Sequence, residues 1–144
     1  MPKIIEYKKL ITPDSTYELR DVEGTELCTI GDTTYFVIPG TALPTGQAAE
    51  IQGSIQLADL SANGLRAKIK AESPHCNLVK VRRKQRIFEK GYTEEDQIAF
   101  LHIAAGQGLG VPITESQSVA LATYVAVCKE ANDWAEAQYV ALGL

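Results

Sequence analysis

Cysteine is scarce in this sequence, and its spacing is wide. The 144 residues include only three cysteines, Cys28, Cys76 and Cys128. An odd number at such spacings does not form a disulfide framework, and neither a Cys-x-x-Cys pair nor a four-ligand zinc set occurs. We therefore expect reduced, buried cysteines, because free cysteine is among the most buried residue types. No metal ion or other cofactor is predicted.

Long apolar runs are also missing. No apolar segment approaches the roughly 18 residues that a membrane-spanning helix needs. A signal peptide has an apolar region after its basic residues, and the N-terminus here has none. The most apolar stretch, 119–127, is interrupted by Thr123. These absences predict a protein that does not bind a membrane and is synthesised in the cytoplasm.

Hydrophobic residues make up 45% of the chain and charged residues 22%, which is ordinary for a globular protein. Residues 1–58 have the alternation and turn residues of β-structure, whereas residues 59–144 have helical periodicity. The sequence thus predicts an α+β fold, with a β-hairpin or small antiparallel sheet followed by a helical C-terminal half. The alternative to two parts, 1–58 and 59–144, is one compact domain, 1–144.

A hairpin is predicted over residues 25–38. Two runs rich in β-branched and aromatic residues flank Gly31-Asp32, and glycine supplies the positive φ that a two-residue hairpin turn needs. Residues 51–57 place Ile51, Ile55 and Leu57 on one face, which predicts a half-buried strand.

Four helices are predicted in the second part of the chain. Ser61 is a candidate cap for a helix that carries Leu65 and Ile69. The next helix is predicted to bury a stripe made of Leu78, Val81, Gln85 and Phe88. A third begins with the acids after Thr93 and ends in the Gly106–Pro112 stretch. A Thr114/Gln117 capping box begins the last helix, expected over about 115–140.

Charge is distributed unevenly. The net charge is −4, yet nine of the fourteen lysines and arginines lie between Arg66 and Lys90. The densest basic segment is a candidate charged surface for a partner, comprising Lys80, Arg82, Arg83, Lys84 and Arg86. Such a segment could neutralise nucleic-acid phosphates. However, the protein as a whole is acidic, and no aromatic residue for base stacking is interleaved with these cations.

The last helix is apolar around more than half of its circumference. A helix that packs only on its own domain needs an apolar stripe of about 100°, so a wider one predicts a second contact surface. The residues predicted to contact a partner or a second copy are Tyr124, Cys128, Ala131, Trp134, Ala135 and Tyr139. The alternative is that the β-rich part of the same chain covers the second face.

Three other motifs contain residue types found in catalytic or ligand-binding sites, but they lack the neighbouring residues or the spacing that such sites need. Neighbours in sequence such as His75 and Cys76 rarely point at each other, and thiol activation needs a base within hydrogen-bond reach. The glycines of Gly106–Pro112 lack the spacing and the lysine of a phosphate-binding loop. Acids at a helix start, such as Glu94 to Asp96, are favoured by the helix dipole. We therefore predict no catalytic residues and no enzyme.

Several stretches resemble small proteins encoded near the tail-fibre genes of bacteriophages and prophages. They are residues 26–35, 65–71 with Ser73-Pro74-His75, Tyr92 with Asp96 and Ile98, Tyr124-Val125 with Cys128-Lys129, and the closing 141–144. The resemblance implies a tail accessory: a virion protein of the tail or tail fibre, or a chaperone of fibre assembly. Its partners would be other tail or fibre subunits, or further copies of itself as an oligomer. It would be made in the host cytoplasm and could then enter the virion.

Three functions from different classes follow from these observations. The first is a structural or assembly protein of the phage tail that acts by protein–protein interaction. The second is a nucleic-acid-binding module that uses the basic helix from Lys80 to Arg86. The third is a small enzyme whose site is assembled from dispersed residues.

Overall fold

A computed structural model describes residues 1–144, apart from the side chain of Leu10. Six strands precede the main helices: β1 Lys3–Tyr7, β2 Leu10–Ile11, β3 Thr16–Tyr17, β4 Thr25–Ile30, β5 Thr33–Ile38 and β6 Gln56–Leu57. A short helix, α1 Ala49–Gln52, comes before β6. The longer helices are α2 Leu65–Glu72, α3 Pro74–Glu89, α4 Glu94–Gly108 and α5 Glu115–Ala141. The predicted α+β fold, with its sheet first and its helices second, is therefore confirmed.

The four-stranded antiparallel sheet has the order β4-β5-β1-β6, and β2 and β3 form a separate two-stranded pair. The predicted hairpin is its β4–β5 pair, with Gly31 at a φ of 64° in the turn. Cys28 pairs with Tyr35, and a register shift between Glu26 and Cys28 interrupts the ladder. The hairpin prediction is confirmed because the alternating pattern and the turn residue favour the same pairing.

Both faces of this sheet are covered by apolar side chains. Ile4 of β1 belongs to one core cluster, together with Leu27, Tyr35, Val37, Ile69, Cys76 and Leu144. The next residue, Ile5, belongs to the cluster on the other face, together with Tyr7, Ile38, Ile51 and Ile55. Successive side chains of a strand point to opposite faces. The central strands therefore bury nearly every apolar residue that they carry.

The predicted strand over residues 51–57 is wrong for most of its length. Ile51 lies in α1, and only Gln56 and Leu57 form a strand. The side-chain amide of Gln52 holds the helical turn in place with two hydrogen bonds: the Gln47 backbone N–H donates to Gln52 Oε1, and Gln52 Nε2 donates to the Pro44 carbonyl. Ile51 and Ile55 are buried nonetheless. Ile51 is buried from the helix and Ile55 from the turn that follows it, so an apolar spacing typical of a strand does not fix the backbone conformation here.

The chain divides into two compact units that do not coincide with 1–58 and 59–144. One, the sheet unit, comprises Met1–Leu78 and Gln138–Leu144; the other, the helical unit, comprises Val79–Ala137. Helices α3 and α5 each contribute residues to both units. The helical unit has its own core cluster around Ile87, Tyr124 and Ala131.

The starts of the last two helices agree with the sequence patterns. Thr93 and Asp96 form a reciprocal capping box at α4. At α5 the Gln117 backbone N–H donates to Thr114 Oγ1, and the Thr114 N–H donates to Gln117 Oε1. Both boxes satisfy backbone donors that a helix start leaves without a partner.

The predicted Ser61 cap is wrong. The Ser61 side chain makes no cap hydrogen bond. Instead, its backbone N–H and its hydroxyl both donate to Asp59 Oδ1. Helix α2 follows Gly64, which has a φ of 65°.

The buried stripe of α3 differs from the predicted one. Leu78, Val81 and Phe88 are exposed, whereas Val79 and Ile87 are buried. Arg83 is partly buried, and its Nη1 donates to Asn132 Oδ1 at 2.8 Å. The predicted stripe is therefore wrong: the helix is rotated so that Val79 and Ile87, and not Leu78, Val81 and Phe88, face the interior.

Candidate functional site

The side chains of α5 that were predicted to contact a partner lie mostly inside the chain. Tyr124, Ala131 and Ala135 are buried, and the remaining three, Cys128, Trp134 and Tyr139, are partly buried. Tyr124 belongs to an aromatic cluster of the helical unit. Its ring centroid lies 4.8 Å from that of Phe100 and 5.1 Å from that of Tyr92.

Cations cover the other two aromatic rings of this set. The Arg86 guanidinium carbon lies 4.3 Å from the centroid of the Trp134 ring. In the sheet unit, Lys70 Nζ lies 4.3 Å from the centroid of the Tyr139 ring. Such contacts contribute on the order of 0.5–1 kcal/mol at exposed sites. A partner that bound these rings would have to displace the cations, so the partner role of these six residues stays a prediction.

The basic segment of α3 does not form one continuous charged surface. Arg83 and Arg86 are directed toward α5 by their contacts with Asn132 and Trp134. Lys80, Arg82 and Lys84 are exposed. Two of the five cations are thus engaged with residues of α5.

A groove with exposed apolar residues lies between α3 and α4 in the helical unit, and is here called the α3–α4 groove. It has a cavity volume of about 510 Å³. Its apolar lining consists of Ile87, which is buried, and of Phe88, Ile98 and Leu101, which are not. Polar and charged residues complete the lining: Arg83, Lys84, Gln85, Glu94 and Gln97.

Helix α4 creates this groove because it is apolar on two sides. Phe100 packs against the core cluster of the helical unit. Ile98 and Leu101 lie on a different face of the helix and are 53% and 61% exposed. A surface helix normally presents polar residues on the side away from the core. An apolar outer face is therefore a feature that packing within the helical unit leaves unexplained.

Two charges of opposite sign flank the apolar part of the groove. Lys84 projects from α3, and Glu94 stands at the beginning of α4. Neither forms an ion pair with another of the residues that the structure describes. Gln85, by contrast, is occupied by a hydrogen bond from its Nε2 to Glu89 Oε1. The third charged residue of the lining, Arg83, also belongs to α3 and donates to the neutral Asn132 amide. The groove therefore has cations on its α3 wall and an anion on its α4 wall, beside its apolar side chains.

Burial raises the pKa of the Cys28 thiol and of the Tyr124 hydroxyl. Burial raises the pKa of the Cys28 thiol to about 11, with smaller contributions from Cys76, Glu72 and Glu26. Burial, with a hydrogen bond to Cys128, raises the pKa of Tyr124 to about 12. A nucleophilic cysteine needs a lowered pKa, so the Cys28 environment does not favour reactivity.

The other motifs of the sequence are not brought together into a site. Cys76 is completely buried, whereas His75 and His102 are exposed. Gly106 and Gly108 lie within α4. Among the described residues, no group of three or more His, Cys, Asp or Glu side chains could hold a metal ion. Within the same residues, no helix is both long and apolar enough to cross a membrane.

Comparison with known proteins leaves the chain without an assigned family. No family model, no curated protein and no solved structure matches it. The geometry of the chain itself therefore carries the functional argument, and the α3–α4 groove is its main feature.

The pattern analysis missed this groove, although a signal for it was present. The stripe predicted for α3 places Phe88 on the buried side, whereas Phe88 is exposed. Ile98 and Leu101 stand three residues apart, and Phe100 lies between them on another face. A helix with apolar residues on two faces predicts a second contact surface.

Proposed function

We propose that this protein is a structural or assembly protein that acts by binding other proteins through the α3–α4 groove. One observation carries the proposal: Phe88, Ile98 and Leu101 stand together, at least half exposed, around one groove. Exposed apolar residues that occur singly need no explanation, but a contiguous apolar patch is typical of a binding surface.

The apolar side chains of the groove would contribute to the binding of a partner. Complete burial of a Phe, Ile or Leu side chain stabilises by roughly 1.5–3 kcal/mol. Since each of the three is already partly covered, a partner would gain on the order of 1 kcal/mol from each. Lys84 and Glu94 at the rim add orientation more than affinity, because exposed ion pairs contribute little net free energy.

The resemblance to proteins encoded near phage tail-fibre genes supplies the biological setting of this proposal. In that setting the protein is a tail or fibre component, or a chaperone of fibre assembly. The partners are other tail or fibre subunits, or further copies of the protein. A groove with apolar walls and a charged rim suits either role, because both need a surface that recognises a polypeptide.

The test uses a phage or prophage that carries the gene. The gene is deleted and complemented with the wild-type protein, with Ile98→Asp or with Val125→Asp. Val125 is a matched control because it is 54% exposed on α5, close to the 53% of Ile98, and does not line the groove. We expect Ile98→Asp to abolish assembly of fibre-bearing particles in electron micrographs and Val125→Asp to support it.

Two results would overturn the proposal. One is normal, infectious, fibre-bearing particles from the deletion strain. The other is full complementation by Ile98→Asp, since a charge in the groove should remove any apolar partner. Circular dichroism of the purified variants establishes that both retain the helical content of the wild-type protein.

A further inference from the structure

We infer that the α3–α4 groove binds a second copy of this chain, in a twofold dimer that places α3 of each copy over α4 of the other. This inference rests on the proposed protein-binding function and names its partner. It follows from the two signs of charge at the groove, from their assignment to different helices, and from the apolar residues on both walls.

The rim charges favour a self-complementary partner. Lys84 belongs to α3 and Glu94 to α4, and neither is neutralised by another described residue. A partner helix with acids on both sides would be attracted by Lys84 but repelled by Glu94, and a basic helix would meet the reverse. A second copy brings the cations of its α3, Arg83 and Lys84, and the Glu94 anion of its α4 to the same surface, so the two copies are complementary, as an isologous contact requires.

The same charges select between two face-to-face arrangements. In both arrangements the twofold axis lies in the plane of the interface. If the axis runs across the groove, at right angles to its length, α3 of one copy lies over α3 of the other and Lys84 approaches Lys84. If the axis runs along the length of the groove, α3 of one copy lies over α4 of the other. Lys84 of each copy then approaches the helix of the other copy that carries Glu94. Like charges that face each other across an interface are unfavourable. The parallel axis is therefore the arrangement that we infer.

The apolar residues are consistent with that axis. Phe88 stands on α3, whereas Ile98 and Leu101 stand on α4. When α3 of one copy covers α4 of the other, Phe88 reaches the wall that carries Ile98 and Leu101, and the contact occurs twice. Because each copy uses the same surface for this contact, no such surface remains free for a third copy, and the assembly stops at a dimer.

Charge reversal tests this geometry directly. Lys84→Glu and Glu94→Lys are made separately and together, and the dimer dissociation constant is measured by sedimentation. We expect each single variant to dimerise roughly tenfold more weakly, because both rim pairs become like-charged. An equimolar mixture of the two single variants should dimerise like the wild type, since both pairs are then of opposite sign. The double variant should also recover.

Arg82→Glu is the matched control, because Arg82 is exposed on α3 and does not line the groove. It should leave dimerisation unchanged. A wild-type protein that stays monomeric at millimolar concentration overturns the inference, and so does a dimer that the charge reversals do not affect. If such a monomer still needs Ile98 for fibre assembly, the proposed function stands and only the second copy is wrong. If Ile98 is also dispensable, both are wrong.

Discussion

The ring of Phe100 on α4 lies almost parallel to the ring of Tyr124 on α5, with 13° between their planes and 4.8 Å between their centroids. Tyr92 meets the edge of Phe100 from the turn before α4, with 5.9 Å between the ring centroids. Helix α4 has no fully buried residue of its own. These rings are therefore its principal attachment to the core of the helical unit, and they leave Ile98 and Leu101 free to form the groove.

Phe100→Ala should destabilise the helical unit far more than Phe88→Ala does. Removal of the partly buried Phe100 ring leaves a void beside Tyr124 and should cost about 3 kcal/mol, near the lower end for buried phenylalanines. Phe88 is 61% exposed, so its replacement should cost less than about 0.5 kcal/mol in the monomer. Urea unfolding followed by circular dichroism measures both changes. Equal losses would show that α4 is not held by the aromatic cluster.

Gly24→Ala should destabilise the sheet unit severely. A Cβ atom at Gly24 would lie 2.1 Å from the Val37 carbonyl oxygen and 2.4 Å from Phe36 Cε1. Because the backbone would have to move, we expect a loss of more than about 3 kcal/mol. Gly46→Ala is the control, since Gly46 also has a positive φ, 70°, but has open space around it. That change should cost only about 1 kcal/mol. A thermal melt that ranked the two variants alike would contradict the close contact of Gly24.

Stability should fall as the pH rises from about 9 to about 11, partly because of Cys28. Burial raises the pKa of this thiol from 9.0 to about 11. The folded protein therefore holds the proton more tightly than the unfolded chain does. This contribution is complete below the unfolded pKa and is lost as the pH rises through the folded pKa.

Cys28→Ala tests the assignment of that pH dependence. Between pH 9 and pH 10 the free energy of unfolding should decline less steeply in the variant than in the wild type. Comparison below pH 10 limits the contribution of Tyr124, whose pKa is raised from 10.0 to about 12. Parallel declines in the two proteins would mean that Cys28 is not the titrating group.

Binding to DNA or RNA should be weak and strongly dependent on salt. Arg86 is engaged with Trp134 and Arg83 with Asn132, which leaves few of the α3 cations for phosphates. Non-specific contacts give dissociation constants of about 10⁻⁴–10⁻⁶ M at physiological salt. Fluorescence anisotropy with a labelled oligonucleotide, titrated with salt, measures the affinity. A nanomolar dissociation constant at about 150 mM salt would favour the nucleic-acid-binding alternative over the structural one.

Local sequence was sufficient for the elements whose signals lie within a few residues of one another. The Gly31-Asp32 turn pairs Thr25–Ile30 with Thr33–Ile38, and the Thr114/Gln117 box begins α5. These elements depend on backbone conformation and on hydrogen bonds between near neighbours. Such interactions are encoded in short patterns, so the pattern and the structure agree.

Tertiary structure alone decided which faces of the helices are buried and where the candidate site lies. The hydrogen bond that directs Arg83 toward α5 joins it to Asn132, which is 49 residues away along the chain. The exposure of Ile98 and Leu101 depends on the attachment of α4 by Phe100 to Tyr124. The hydrophobic effect is non-directional, so an apolar residue specifies that it should leave water but not which neighbour it meets. The sequence by itself determined the α+β class, the hairpin and the helix starts, whereas contacts between distant segments determined the groove.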